Sequence, residues 1–310
     1  METRRIGSLE VAVVGLGTNN FGLTMGAEAV GPVVEAALEH GINFFDTSDS
    51  YGASEERLAE ALGARRDEVL IATKFGSQVR GEPGTGGARP DYVRRAADAS
   101  LRRLGTDRID LYQIHRPDPN TPIADTLGAL SELVAAGKVR EIGCSNFSAA
   151  QLAEADEAAG EGPRFVSVQN HLSLLERSDE AEVLPLCRQL EIAYLPFYPL
   201  ANGLLTGKYR RGEDPPEGTR LSLWRERLAG TLTDATFDRI DALSAWARDH
   251  GRTILELAFA WLEAKPGVAS VIAGATTPDQ VAGNVAAGRS PLTLDELDEV
   301  DALLYGHDRG

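Results

Sequence analysis

Short apolar runs alternate with longer amphipathic segments along almost the whole chain, and this alternation restricts the possible folds more than any other feature. Apolar runs of about four to eight residues are typical of buried strands, whereas apolar residues spaced three and four positions apart are typical of helices. After a short hairpin within residues 4–12, the pattern predicts eight strands, near residues 13–18, 43–46, 69–74, 109–115, 140–145, 165–169, 192–197 and 270–274.

Repeated strand–helix units predict a parallel sheet covered by helices, and eight of them favour closure into a barrel. We therefore predict an α/β fold, a single (β/α)8 TIM barrel domain over residues 1–310, with the N-terminal β-hairpin and a C-terminal helix over residues 292–304. An open, doubly wound sheet is the alternative. It is disfavoured because Gly15 and Gly17 are not followed by the third glycine of a dinucleotide-binding turn.

The segment over residues 122–139 illustrates the helical pattern. Its apolar residues recur at helical spacing, at Ile123, Leu127, Leu130 and Val134. Thr121 is a candidate cap, Pro122 suits the first helical position and Gly137 is expected to end the helix.

The composition restricts the partners and the location of the protein. The formal net charge of −16 disfavours nucleic acid and anionic membranes as partners, because both would be repelled. Two cysteines, Cys144 and Cys187, do not make a disulfide framework and indicate a reducing compartment. The first residues are not followed by an apolar signal-peptide core, and no apolar run is long enough to span a bilayer. We predict a cytoplasmic protein.

Four polar residues lie at or just after the ends of three consecutive predicted strands. Asp46 and Tyr51 follow the second barrel strand, Lys74 ends the third and His115 ends the fourth. Because strand C-termini share one face of a barrel, these side chains are expected to converge. The chain contains only four lysines among 31 basic residues, which suggests that Lys74 has a role that arginine does not serve. This arrangement predicts an active site.

Six sequence blocks resemble, in order, the signatures of the aldo-keto reductases. They are GINFFDTSDSYG at residues 41–52, DLYQIHRP at 110–117, GKVREIGCSNF at 137–147, VQN at 168–170, PLANGLLTGK at 199–208 and VIAG at 271–274. The resemblance covers nearly the whole chain, and it implies a barrel that binds a nicotinamide cofactor and reduces carbonyl groups.

The resemblance implies a role for each of the four converging residues. Tyr51 is expected to be the general acid that protonates the substrate oxygen. A free phenol has a pKa of about 10, and a nearby cation, Lys74, is expected to lower the pKa of Tyr51. Asp46 is expected to pair with Lys74 and keep it charged, and His115 to donate a hydrogen bond to the substrate oxygen.

The resemblance also implies a cofactor groove. Ser145, Asn146 and Gln169 are expected to hydrogen-bond the nicotinamide carboxamide, since buried amides need partners. Phe197 is expected to stack on the nicotinamide ring, with Tyr198 as the alternative stacking residue. The other cofactor-binding residues that the resemblance implies are Gly17, Thr18, Tyr198, Leu200, Lys208, Gly274, Thr276, Gln280 and Asn284.

NADPH is the expected cofactor and NADH is the alternative. Members of the family often place Lys or Arg against the 2′-phosphate after the last strand, whereas this chain has Gly274, Thr276 and Gln280 there. A cation from the loop over residues 198–233, Lys208 or Arg220 among them, is then the expected source of positive charge.

These features predict a monomeric, metal-free, NAD(P)H-dependent oxidoreductase that reduces aldehydes, ketones or open-chain sugars. The long loops at residues 75–90 and 198–233 are expected to set substrate specificity. One alternative is a cofactor-binding regulatory or sensor protein of the same fold. Others are a Schiff base at Lys74, or a metal bound by Asp46 and His115, which is disfavoured because no His-rich or carboxylate-rich ligand set accompanies that pair.

Overall fold

The computed structural model describes residues 1–223 and 229–307, and at its centre lies a closed barrel of eight parallel strands. An antiparallel hairpin, β1 (Thr3–Ile6) and β2 (Leu9–Ala12), precedes the barrel. The barrel strands are β3 (Val14–Gly17), β4 (Phe44–Asp46), β5 (Leu70–Phe75), β6 (Ile109–Ile114), β7 (Val139–Ser145), β8 (Ser167–His171), β9 (Ala193–Phe197) and β10 (Val271–Gly274). They follow sequence order around the barrel, and β10 pairs with β3 to close it.

Helices surround the barrel in the expected alternation. They are α1 (Asn19–Leu23), α2 (Val30–Glu39), α3 (Ser54–Leu62), α4 (Pro90–Leu104), α5 (Ile123–Ala135), α6 (Ala149–Ala159), α7 (Val183–Gln189), α8 (Arg220–Leu223), α9 (Asp234–Asp249), α10 (Ile254–Ala264), α11 (Pro278–Ala287) and α12 (Leu294–His307). Short 3₁₀ turns occur at Ala27–Ala29, Gly63–Glu68, Ser178–Glu180, Ala201–Thr206 and Ala229–Thr231. Across the described part of the chain, no helix combines the length and apolarity needed to cross a bilayer.

The predicted hairpin and all eight predicted strands are confirmed, and the closed barrel rules out the doubly wound alternative. The start of α5 was predicted wrongly by one residue. Pro122 lies at the N-cap position with an extended ψ of 134°, so that the helix begins at Ile123. Thr121 does not cap it, because its hydroxyl donates to Asp118 Oδ2 at 2.8 Å. Gly137, with φ +71°, follows the helix end as expected.

The predicted C-terminal helix is present as α12, two residues later at its start and three at its end than expected. Thr293 and Glu296 exchange hydrogen bonds of 2.7 and 3.2 Å, the reciprocal pattern of a capping box. The cap explains the later start, since Thr293 stands just before the first helical residue. The helix packs against α9, where Trp246 donates to Glu299.

The hairpin fills the N-terminal end of the barrel. Ile6, Leu9 and Val11 are fully buried there and form one cluster with inward-facing strand residues, namely Phe44, Ala72, Leu111, Leu195, Ala269 and Ile272. Alternate residues of a strand face the same side, so the residue two positions further along each strand also faces inward, nearer the C-terminal end. This cluster of hairpin and strand residues (the apolar plug) closes the N-terminal end of the barrel, so polar side chains are accommodated at the C-terminal end.

Candidate active site

The inward-facing residues above the apolar plug are polar. Asp46, Lys74 and Gln113 lie two positions after Phe44, Ala72 and Leu111 on β4, β5 and β6, and Gln169 joins them from β8. All four are buried, with exposed fractions of 0–3%. Asp46 lies at their centre, since it receives hydrogen bonds from Lys74, from Gln169 at 2.7 Å and from Gln113 at 3.4 Å.

The Lys74 ammonium makes three hydrogen-bond contacts within the barrel. Its Nζ donates to Asp46 Oδ1 at 2.7 Å, to Asp46 Oδ2 at 2.6 Å and to the carbonyl oxygen of Thr47 at 3.0 Å. Burial lowers the pKa of Lys74, and the charge and hydrogen bonds of Asp46 oppose that effect. These contacts hold the ammonium between the Asp46 carboxylate and the backbone that follows β4.

Tyr51 lies directly beside this ion pair. The Lys74 Nζ is 5.3 Å from the centroid of the Tyr51 ring. The loop that carries Tyr51 packs backbone to backbone against α1, because a Cβ at Gly22 would lie 1.7 Å from the Tyr51 carbonyl oxygen. Gly52, with φ +61°, allows the chain to turn into α3 immediately afterwards.

The pKa of Tyr51 differs from the sequence-based prediction. Burial raises it well above 10, and the Asp46 carboxylate raises it further. The net shift is therefore opposite to the predicted lowering, because burial and the Asp46 carboxylate that holds the lysine both raise the pKa of the phenol. Tyr51 is a protonated phenol throughout the neutral pH range.

His115 completes the convergence of the four residues. Its ring meets the Tyr51 ring edge to face, with centroids 5.7 Å apart. Its Nδ1 lies 3.1 Å from the Ser48 hydroxyl and 3.4 Å from the Ser50 hydroxyl. Burial lowers the pKa of His115 to about 3, with smaller contributions from the Lys74 and Arg116 charges, so the imidazole is neutral at physiological pH.

Ser145, Asn146 and Gln169 form a hydrogen-bonded chain next to His115. The Ser145 hydroxyl donates to the Gln169 carbonyl oxygen at 2.6 Å, and Asn146 Nδ2 donates to Ser145 Oγ at 3.0 Å and to the His115 carbonyl oxygen at 2.9 Å. Asn146 adopts a left-handed conformation with φ +61°. The amide nitrogen of Gln169 is occupied by Asp46, so this residue joins the predicted carboxamide site to the ion pair.

One end of the predicted groove lies between β3 and β10. Gly17 and Gly274 are register partners, and a Cβ at Gly274 would approach the Asn20 amide at 3.5 Å. Arg220 reaches this point from α8, about 200 residues away in sequence, and donates to Asn19 Oδ1 at 3.2 Å and to Asn20 Oδ1 at 3.1 Å. Its guanidinium also lies 5.3 Å from the Tyr198 ring centroid.

The Thr18 side chain lies between the end of β4 and the start of α3. Its side chain is fully buried, and its hydroxyl lies 3.0 Å from the Asp46 carbonyl oxygen, to which it donates, and 2.9 Å from Ser54 Oγ. Its backbone N–H donates to the same Asp46 carbonyl at 2.9 Å. Thr18 thus fixes the end of β4.

The two candidate stacking rings lie side by side after β9. Phe197 stacks on His171 at a centroid distance of 5.5 Å, and Tyr198 meets Phe197 edge to face at 5.1 Å. Tyr198 has φ +52°, and its charge is among those that raise the pKa of Tyr51, so its ring is near the four converging residues. Leu200 is half-buried and Lys208 is exposed with its Nζ above the Tyr209 ring.

Beyond β10, the predicted adenosine-end residues lie around the start of α11. Gln280 folds back so that its Oε1 accepts from the Thr276 backbone N–H at 2.9 Å. Thr277 caps the helix by accepting from the Gln280 N–H. Asn284 is buried on the next turn, with 6% of its surface exposed. Pro278, at the first position of the helix, has no N–H, and the N–H of Gln280 is already bonded to Thr277, which leaves this helix N-terminus little capacity to bind an anion.

Sequence reasoning missed several contributors to the site. Strand alternation alone would have identified Gln113, which lies two residues after the inward-facing Leu111. Thr47 acts through its carbonyl and Gly22 through the absence of a side chain, and such roles carry no side-chain signal. Across residues 1–223 and 229–307, no three or more His, Cys, Asp or Glu side chains are grouped to hold a metal ion.

The chain was compared with known proteins. The family model described as Aldo/keto reductase family matches residues 13–305. A probable voltage-gated potassium channel subunit beta of Arabidopsis thaliana is 32% identical over 97% of this chain and 96% of its own length. The L-glyceraldehyde 3-phosphate reductase of Escherichia coli O157:H7 is 31% identical over 91% of this chain and 86% of its own length. The uncharacterized oxidoreductase YrpG of Bacillus subtilis is 34% identical over 96% of this chain and 94% of its own length.

Proposed function

Because this chain belongs to the aldo/keto reductase family, we propose that it is an NADPH-dependent reductase of aldehydes, ketones or open-chain sugars. The observation that carries the proposal is the buried Lys74–Asp46 pair, with contacts of 2.7 and 2.6 Å, beside Tyr51 and a neutral His115. A buried ion pair is costly to maintain, and here it lies within reach of a phenol and an imidazole at the C-terminal end of a barrel.

The chain's own residues would handle the substrate oxygen. His115 donates a hydrogen bond that holds the carbonyl oxygen against Tyr51, and the neutral imidazole does so when its single ring hydrogen is on the nitrogen that faces the substrate. A bound reduced nicotinamide supplies hydride to the carbonyl carbon. Tyr51 then gives its phenolic proton to the oxygen, which has become a far stronger base than a phenolate. Because its pKa is raised, Tyr51 remains protonated until negative charge develops on the substrate oxygen.

Lys74 would act as a fixed positive charge beside Tyr51. Its position 5.3 Å from the ring centroid favours the transient phenolate, while Asp46 and Thr47 hold the ammonium still. A Schiff base at Lys74 is disfavoured because the amine is buried and held in its charged form against the Asp46 carboxylate.

The residues of the groove fit a nicotinamide dinucleotide. The polar chain of Ser145, Asn146 and Gln169 suits a carboxamide, and it adjoins the reacting centre. A protein of net charge −16 needs local cations to attract phosphates; Arg220 supplies one at the other end of the groove, and Lys208 is an exposed cation of the same loop. We favour NADPH on the strength of these cations, with NADH as the alternative.

A relative named L-glyceraldehyde 3-phosphate reductase supports small hydroxyaldehydes as substrates to test first. Relatives named probable potassium channel subunit beta favour a second candidate, a cofactor-binding regulatory protein with little turnover. Cys144 and Cys187 are free and buried, which supports our proposal of a cytoplasmic location. We expect a monomer.

The cofactor site can be tested without knowledge of the substrate. Purified protein is titrated with NADPH and with NADH in parallel, and quenching of tryptophan fluorescence gives the two dissociation constants. We expect micromolar binding, tighter for NADPH. The variant Arg220→Gln should weaken NADPH binding roughly tenfold or more, whereas Arg210→Gln, an exposed arginine of the same loop, should not. A folded protein that binds neither nucleotide would contradict the proposal.

A further inference from the structure

One buried carboxyl beside the active site has no part in the mechanism above. Asp49 is 4% exposed and lies two residues before Tyr51. Ser48 connects it to His115, because the Ser48 hydroxyl is 3.2 Å from Asp49 Oδ1 and 3.1 Å from His115 Nδ1. Asp49, Ser48 and His115 therefore form a hydrogen-bonded relay (the Asp49 relay) that ends at the imidazole facing the substrate oxygen.

We propose that Asp49 is a positioning residue that determines, through the Ser48 hydroxyl, which ring nitrogen of His115 carries the proton. This inference rests on the proposed function, since only in a carbonyl reductase does His115 donate to a substrate oxygen. It adds a residue that does not touch the substrate but controls whether the neighbouring residue can donate.

The number of lone pairs on Ser48 gives the relay two discrete states. A hydroxyl oxygen has two acceptor sites and one hydrogen. The Ser50 backbone N–H occupies one acceptor site of Ser48 at 3.2 Å. The Ser50 hydroxyl lies 2.9 Å from Ser48 Oγ and either accepts from Ser48 or donates to it. When it does not donate, the remaining site takes a single donor, which is either the Asp49 carboxyl or the His115 Nδ1–H.

When Asp49 is ionised, Ser48 donates its hydrogen to the carboxylate and accepts from Nδ1–H of His115. The Nε2 of the imidazole is then a lone pair, which cannot donate to a carbonyl oxygen. When Asp49 is protonated, the carboxyl donates to Ser48, and Ser48 donates to Nδ1. The single ring hydrogen of the neutral imidazole is then on Nε2, which is the form that holds a carbonyl substrate.

The surroundings of Asp49 allow both states near neutral pH. Its pKa is raised to about 7 by burial first and then by the Glu55 carboxylate on α3, against the opposing effects of Ser48, Arg103 and Tyr92. The other groups that interact with this carboxyl are Lys74, Tyr51 and Tyr112 on the barrel side. His115 stays neutral over the same range because its own pKa is about 3, so a change of tautomer is not masked by its ionisation.

The relay predicts a pH dependence with a defined sign. Carbonyl reduction needs the Nε2–H tautomer and is favoured as the pH falls through about 7, whereas alcohol oxidation is favoured above it. In the variant Asp49→Asn the amide does not titrate, so the tautomer and the rate should lose their pH dependence in this window.

The tautomer of His115 can be measured directly on the protein without cofactor. Histidine-selective ¹⁵N labelling and long-range ¹H–¹⁵N correlation spectra distinguish Nδ1–H from Nε2–H, and His115→Gln assigns the signal among the five histidines. We expect a change from Nε2–H to Nδ1–H with a midpoint near pH 7 in the wild type. The change should be absent in Asp49→Asn and in Ser48→Ala, which keeps the carboxyl but cuts the connection.

The matched variant is Ser50→Ala, which removes a hydroxyl 2.9 Å from Ser48 Oγ and 3.4 Å from Nδ1 but leaves the backbone N–H, Ser48 and Asp49 in place, and so tests whether Asp49 rather than Ser50 decides the tautomer. It should retain the change of tautomer. A wild-type tautomer that is constant across the titration, or a change that persists in both Asp49→Asn and Ser48→Ala, would overturn the proposal. A working relay in a protein without reductase activity would instead reject the proposed function alone.

Discussion

The buried Lys74–Asp46 pair allows a prediction about stability that is independent of catalysis. At a separation of 2.6 Å and an effective dielectric constant of about 20, the two charges attract by roughly 6 kcal/mol. Desolvation offsets most of this, so the pair adds little net stability, but the loss of one partner leaves a charge buried in the barrel. We therefore expect Lys74→Met and Asp46→Asn each to lower the free energy of unfolding by about 3–5 kcal/mol.

In the double variant Lys74→Met/Asp46→Asn, the free energy of unfolding should fall by clearly less than the sum of the decreases in the two single variants. We expect a coupling energy of about 2 kcal/mol or more, because the second substitution removes the stranded charge that the first one created. The assay is urea unfolding at neutral pH, followed by circular dichroism, for the wild type, both single variants and the double variant. Since burial lowers the pKa of Lys74, the folded state of Asp46→Asn binds fewer protons than the unfolded state, and its stability should rise between neutral pH and the unfolded lysine pKa.

The surface pair Arg94–Glu132 is the matched control. Its shortest contact is also 2.7 Å, but both side chains are more than 40% exposed. The same cycle at this pair should give a coupling energy of about 1 kcal/mol or less. Additive losses at Lys74 and Asp46, or equal coupling at the two pairs, would refute the argument that burial makes the difference.

Three further substitutions test separate parts of the account. Gly22→Ala should lower turnover by displacing the Tyr51 loop, since the added Cβ would lie 1.7 Å from the Tyr51 carbonyl oxygen. The control Gly31→Ala adds a Cβ into open space and should leave turnover unchanged. Equal turnover in the two variants would contradict this prediction. Thr276→Arg should raise the NADPH-to-NADH affinity ratio roughly tenfold, and an unchanged ratio would mean that Thr276 is not near the 2′ position. Burial raises the pKa of Glu263 in the folded protein to about 8, so the unfolded state binds fewer protons than the folded state between pH 4.5 and 8. The wild type therefore loses stability over this range, and Glu263→Gln should become more stable relative to it by up to a few kcal/mol. A difference in the free energy of unfolding that stays constant with pH would exclude this.

Most of the fold could be predicted from the sequence, because each buried strand corresponds to a short run rich in apolar residues. All eight barrel strands were predicted to within about two residues at each end, since runs such as Ile109–Ile114 are apolar and end abruptly. Helix starts were less accurate, as at Thr121, because the sequence does not show that Asp118 competes for its hydroxyl. The convergence of Asp46, Tyr51, Lys74 and His115 followed from barrel topology alone.

The electrostatics of the site could not be read from the sequence. The third hydrogen bond of Lys74 goes to a backbone carbonyl, and the opposing effect of Asp46 on Tyr51 depends on their distance. The return of Arg220 to Asn20 joins segments about 200 residues apart, and no local pattern encodes such a contact. Part of that loop, residues 224–228, lies outside the described residues.

The most direct test of the proposed reductase follows one turnover of hydride transfer. Protein saturated with NADPH is mixed with glyceraldehyde or benzaldehyde, and the loss of reduced-nicotinamide absorbance is recorded for the wild type, Tyr51→Phe and the control Tyr209→Phe. The account predicts rapid loss in the wild type and the control, and a decrease of roughly 10²–10⁴-fold in Tyr51→Phe with unchanged NADPH affinity. Equal rates in wild type and Tyr51→Phe would contradict the assigned proton donor. Tight NADPH binding without turnover of any carbonyl would favour the regulatory protein instead.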